Sequence, residues 1–164
     1  MKPLALFATP WLLACSSLLS AAPAVDHLRL SVIPTASSSG AAEAMVVSGG
    51  RWGTQRHLLH AAILIEHPQG RFLFDTGLGH ETAEAFARNN WLNRTLLAYE
   101  NLNPARDQLE AAGYQASDID FILPSHLHWD HLGGLPDFPG LPVMILPGAL
   151  EEAKPHGEPP AFLA

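Results

Sequence analysis

Ser125-His126-Leu127-His128-Trp129-Asp130-His131-Leu132-Gly133-Gly134 decides the reading of this 164-residue chain. The stretch reads H-x-H-x-D-H and follows an apolar run at residues 120–123 (DFIL), which Pro124 closes because proline cannot donate to a sheet ladder. In an extended exit from a strand, side chains alternate, so His126 and His128 point to one side and can grip one metal ion together. Asp130 and His131 come where the chain turns and can face a second ion. Imidazole with carboxylate suits zinc, and iron or manganese less well. Gly133 and Gly134 predict a backbone that turns close to the ions. A helix starting near Asp130 would point N–H groups at an anion there. The competing reading, a solvated His-rich loop, is opposed by the buried strand in front and the glycines behind.

Working outward, residues 61–65 (AAILI) and 71–74 (RFLF) flank His67-Pro68-Gln69-Gly70. Proline second and glycine fourth suit a type I turn, so this is a β-hairpin. It leads into Asp75-Thr76-Gly77-Leu78-Gly79, a strand-to-loop exit. Upstream, residues 27–33 (HLRLSVI) alternate like a half-buried strand. Pro34 is expected to end it, residues 35–40 to form a Ser-rich loop, and residues 45–47 a short strand before a turn at Ser48-Gly49-Gly50. Residues 81–90 predict a helix with Ala83, Phe86 and Ala87 on one face, and residues 91–100 a second helical piece. A third helix is signalled by Asn103 as cap, Pro104 at the first position and Gly113 as stop. Residues 143–146 (VMIL) predict another strand and residues 149–154 a short helix. A hairpin followed by alternating helices and strands implies an α/β chain of one domain, with a mixed sheet covered by helices.

The net charge is −7 and no basic run exists, so nothing supports nucleic-acid binding. Cys15 is the only cysteine, which excludes an internal disulfide and a thiolate metal site. Residues 1–24 read as an export signal: Met1-Lys2, an apolar stretch, then Ala22-Pro23-Ala24 with cleavage before Val25. Leu12-Leu13-Ala14-Cys15 offers a second route, a lipoprotein box with acylation at Cys15. Residues 25–164 are the exported domain on either route, periplasmic or secreted; on the second the exported chain begins at Cys15, whose lipid would be its one link to a membrane. No G-x-S-x-G elbow is present. His27, His57, His60, His67 and His80 have no partner at ligand spacing and read as ordinary strand or loop residues. Trp129 lies between ligands and reads equally as a pocket wall or as packing. Trp52 and Trp91 read as core or loop cover.

SHLHWDHLGG resembles the metal-binding motif of the metallo-β-lactamase-fold hydrolases. The resemblance extends to FDTG (Phe74 to Gly77) and to the D-x-D-x-I-L lead-in (Asp118 to Leu123), and covers about residues 28–150. It implies the N-terminal half of an αββα sandwich. It also implies that His126 and His128 bind a first zinc, that Asp130 and His131 bind a second, and that Asp75 orients a ligand imidazole from behind. Asp75 alone also reads as a loop cap. The activity implied is hydrolysis of a small molecule at an ester, cyclic ester or amide carbonyl through a metal-bound hydroxide, with Asp130 orienting the nucleophile and relaying a proton. The segments around the motifs look more like lactonases than β-lactamases. A glyoxalase II-like thioesterase, a β-lactamase and an iron-dependent persulfide dioxygenase share the fold. The family's later ligands, a third histidine, a bridging aspartate and a last histidine, have no counterpart here. Only His156 follows, in a Pro-rich tail where a surface role is expected. A fragment of a longer protein, or a truncated frame that binds metal without catalysis, is therefore the alternative expectation.

Overall fold

The computed structural model describes residues 27–150. The export signal, Cys15, His156 and most of the helix expected at 149–154 lie outside these residues. A helix does begin at Ala149 and Leu150. The elements run β1 (Arg29–Ala42), α1 (Glu43–Val46), β2 (Gln55–His67), β3 (Gly70–Thr76), α2 (Thr82–Ala87), α3 (Trp91–Leu96), α4 (Ala105–Ala111), β4 (Phe121–Leu123) and α5 (Trp129–Leu132). The four strands form one sheet in the order β1-β2-β3-β4. The first two pairings are antiparallel and the last is parallel, so the sheet is mixed, as the sequence implied. No helix among the described residues is long and apolar enough to cross a membrane.

Alternation along the strands explains which face is covered. Ala62 and Leu64 of β2, Leu73 of β3 and Ile122 of β4 point to one side and are fully buried, and Ile33 of β1 is buried beside them. Ala105 and Leu109 of α4, with Ile119 and Phe138, close over them. Burying each leucine, isoleucine or phenylalanine of this set stabilises the fold by roughly 1.5–3 kcal/mol. A Schellman stop ends α4: Gly113, at φ 90, donates its N–H to Glu110 and Tyr114 donates to Leu109.

Five local expectations are corrected. Pro34 does not end β1. It sits on an edge strand at a register shift between Pro34 and Ala36, where a missing donor is tolerated. Thr35, the extra residue, is buried; its hydroxyl donates to the His60 carbonyl at 3.1 Å and accepts from Leu78 N–H at 3.0 Å. The predicted 35–40 loop is therefore strand. Met45 and Val46 belong to α1 and Val47 caps it, so no strand forms here, because Glu43 anchors a turn, receiving the Arg51 backbone N–H at 3.1 Å and the Arg56 guanidinium. Asn103 does not cap α4: Pro104 is the cap residue, and no side chain bonds to the first turn. The 143–146 strand shrinks to one bridge, Val143 to Ile122.

Candidate metal centre

Because β4 runs parallel to β3, both strands deliver their C-terminal ends to the same edge of the sheet. Asp75 leaves β3 there and Ser125 leaves β4. Asp75 is buried and left-handed (φ 58), a conformation that aspartate tolerates better than most residues. Its Oδ1 accepts the Ser125 N–H at 2.7 Å and its Oδ2 accepts the Ser125 hydroxyl at 2.8 Å. Oδ2 also lies 2.7 Å from His131 Nδ1.

These bonds assign tautomers. A carboxylate can only accept, so His131 carries a proton on Nδ1, and the neutral ring turns its Nε2 lone pair toward the site. The Ser125 hydroxyl, having donated to Asp75, is left to accept from His126 Nδ1 at 3.0 Å. His126 Nε2 then carries a lone pair as well, and faces His128 Nδ1 at 3.0 Å. One buried carboxylate thus orients one imidazole directly and another through a serine.

Asp130 Oδ2 lies 3.7 Å from His131 Nε2, and the His126 and His131 rings are 4.0 Å apart between centroids. The structure therefore gathers all four motif side chains into one cluster, with His126 next to His128 and Asp130 next to His131. Two nitrogens 3.0 Å apart are close to the spacing of donors that each sit ~2.0–2.1 Å from one tetrahedral ion. Among the described residues no group of three or more His, Cys, Asp or Glu side chains is arranged to hold an ion. The donors fit a divalent cation by chemistry and in pairs, not as a closed cage.

The electrostatics match this arrangement. Burial pushes the Asp75 carboxyl up, but the bonds from His131 and Ser125 outweigh it and hold it below the usual range. Asp130 is likewise pushed up by burial and pulled further down by His60 and by the charge of His131. The bond to Asp75 raises His131 despite partial burial. Burial, then the neighbouring His131 and His128, lower His126 and so favour its neutral, metal-binding form.

Gly133 and Gly134 serve a different purpose from the one their sequence suggested. They face the β3 exit, not the cluster: a Cβ at Gly134 would come within 2.7 Å of the Thr76 carbonyl. Gly134 N–H donates to the Gly77 carbonyl at 2.9 Å, and the Thr76 hydroxyl to the His131 carbonyl at 3.0 Å. The helical turn α5 begins at Trp129, one residue ahead of Asp130. Beside the cluster lies a cavity of ≈ 350 Å³ whose lining includes Met45, Val46, Leu58, His128, Trp129 and Asp130. Trp129 forms part of its wall while packing on Phe86 at 5.7 Å, so its two readings hold together.

Sequence reasoning missed His60 and Ser38. His60 lies on β2, only 8% exposed, with Nε2 2.9 Å from the Ser38 hydroxyl and Nδ1 3.7 Å from Asp130 Oδ2. The available signal was alternation: His60 continues the inward stripe of Ala62 and Leu64 by one step.

Known proteins resemble this chain in sequence and in fold. A probable metallo-hydrolase of Mycobacterium tuberculosis is 35% identical over 83 residues, which is 50% of this chain and 27% of that protein. An N-acyl homoserine lactonase of Bacillus cereus is 31% identical over 98 residues, 56% of this chain and 38% of the lactonase. The solved AiiA of Bacillus thuringiensis, a variant with N-decanoyl-L-homoserine bound at its active site, superimposes with a TM-score of 0.57 at 26% identity, covering 76% of this chain and 51% of that one. The chain thus spans about a quarter to a half of the length of the proteins it matches. A family model described as the metallo-beta-lactamase superfamily matches residues 56–163, from the start of β2 through the histidine cluster and beyond. With that match spanning most of the chain and the motif side chains gathered at one sheet edge, the chain belongs to the metallo-beta-lactamase superfamily.

Proposed function

We propose that this chain supplies the first-motif half of a zinc-dependent lactonase, which opens a cyclic ester of the acyl-homoserine lactone class. The observation that carries the proposal is the gathering of His126, His128, Asp130 and His131 in front of the buried Asp75 carboxylate. The substrate class is supported by similarity to proteins named N-acyl homoserine lactonase. Two zinc ions, when bound, would polarise the lactone carbonyl and supply a water of lowered pKa. His126 and His128 would hold one ion, Asp130 and His131 the other, with iron or manganese as substitutes. Asp130 holds its carboxylate ionised at the mouth of the cavity, ready to orient the attacking water and to pass its proton to the leaving alkoxide. Trp129 and the apolar cavity wall keep bulk water from one side of that point. An N-terminal export segment, residues 1–24, and a periplasmic or secreted domain beginning at Val25 belong to the same proposal, with lipidation at Cys15 as the variant form.

A second reading, a metal-binding piece without turnover, is supported by the way the donors meet in pairs, His126 with His128 and Asp130 with His131. Zinc stoichiometry by elemental analysis and lactone opening by acid release separate the two on the purified full chain. The lactonase reading expects bound zinc, measurable turnover, and a loss of ~10²–10⁴-fold in Asp130→Asn with the fold retained. Zinc without turnover establishes the second reading. Undiminished turnover in Asp130→Asn overturns the mechanism, and failure to bind zinc overturns both readings.

A further inference from the structure

A string of polar side chains runs through the cluster. Ser125 bonds Asp75, Asp75 bonds His131, and His131 Nε2 approaches Asp130 Oδ2 at 3.7 Å. The same Asp130 oxygen also meets His60 Nδ1, again at 3.7 Å. His60 is buried on the floor of the site, and its other nitrogen sits 2.9 Å from the Ser38 hydroxyl across the β1–β2 pairing. Its ring centroid is 6.0 Å from that of Trp129, on the wall of the shared cavity.

We infer that His60 is a positioning residue for Asp130, held in one tautomer by Ser38. The inference rests on the reading of Asp130 as a metal ligand. A neutral His60 ring allows two arrangements of the Ser38–His60 bond. If Ser38 accepts from Nε2–H, the Nδ1 lone pair faces the Asp130 carboxylate and repels it. If Ser38 donates to Nε2, the proton sits on Nδ1 and faces Asp130. Only the second arrangement is favourable next to an ionised carboxylate. Ser38 therefore does for His60 what Asp75 does for His131, and Asp130 Oδ2 is flanked by two imidazoles with opposite roles. One presents a lone pair and the other a proton. At 3.7 Å the His60 contact is longer than a hydrogen bond, so its effect is electrostatic steering of the carboxylate, or a bond completed by a bridging water.

A carboxylate that orients through an outer partner loses metal affinity when the partner goes, typically 10–100-fold. Three variants of the full chain test this by zinc competition against a chromophoric chelator. His60→Phe fills the volume without a donor and is expected to weaken zinc binding by about 10–100-fold. His60→Asn places an amide N–H close to where Nδ1 stood and is expected to recover most of that loss. Ser38→Ala is expected to fall between the wild type and His60→Phe. Imidazole ¹⁵N spectra of the zinc-free wild type supply a readout that does not depend on folding of a variant: protonated Nδ1 and accepting Nε2 are expected at His60. A ring protonated on Nε2 alone overturns the inference. So does wild-type zinc affinity in folded His60→Phe, or a His60→Asn that binds no better than His60→Phe. Failure of the underlying metal reading looks different, since the wild type and His126→Ala would then bind zinc equally weakly.

Discussion

At Asp75 the backbone adopts φ 58, a conformation that costs a non-glycine residue on the order of 1–3 kcal/mol, and the side chain is buried besides. Both costs are met by what the carboxylate holds in place: the Ser125 amide and hydroxyl and the His131 ring. Asp75→Asn keeps the shape but removes the charge that fixes the His131 Nδ1 proton. Zinc affinity is expected to drop by about 10–100-fold, read by chelator competition, while the circular dichroism spectrum stays close to that of the parent. Unchanged affinity would reduce Asp75 to a loop cap. The resemblance to a known family made Asp75 legible beforehand, because FDTG stands in the chain as a contiguous motif. His60 was not legible. Its partners Ser38 and Asp130 are 22 and 70 positions away, and only the pairing of β1 with β2 and the turn after β4 bring them together.

Among the elements, the hairpin of β2 and β3 was readable because its apolar runs and its turn residues point the same way. β1 was misread beyond Pro34 for an equally physical reason. Proline breaks a ladder only where its missing donor is needed, and a bulge on an edge strand removes that need. The Thr35 hydroxyl supplies a bond at the irregularity, which no local propensity contains. Loop anchoring was also invisible. His80, beyond the β3 exit, reaches Asp137 with Nδ1 at 3.0 Å and Asp107 of α4 with Nε2 at 3.1 Å. The bond to Asp137 raises His80 above its ordinary value of 6.5, against slight burial and with help from the Asp137 and Asp107 charges. A raised folded value means that protonated His80 stabilises the fold fully below pH ~6.5, and that this stability is lost as pH climbs through the folded pKa. The His80 side chain is about half exposed, so the effect stays within ~1 kcal/mol. Melting temperature should therefore fall on raising the pH above ~6.5, and fall less in His80→Gln. An identical decline in the variant would assign the pH dependence elsewhere, with His131 the first alternative because it shifts in the same direction.

For the molecule as a whole, the side of the sheet that the described residues leave uncovered matters most. Register places Leu30, Ile65, Phe72 and Phe121 in one row across all four strands, and Val32, Ile63, Phe74 and Leu123 in the next. Phe72 stacks on Phe121 at 4.7 Å, yet Leu30 and Val32 at the edge are 59% and 61% exposed. A contiguous apolar face of this kind marks a contact surface. The purified 164-residue chain is expected to enhance the fluorescence of an apolar dye, and Leu30→Lys with Val32→Lys to reduce it. No enhancement in the parent would mean that the face is already covered in solution.

The shortest strand sets the tolerance of the whole centre. β4 has three residues in register with β3, pinned below by mutual bonds between Arg71 and Asp120 and above by Asp75 on Ser125. A slip of two residues would preserve which side chains face inward, yet move Ser125 by roughly 6–7 Å and leave Asp75 nothing to grasp. Spacing among the histidines is thus inherited from a few ladder rungs, and variants that loosen either pin should blur the ion site well before they unfold the chain.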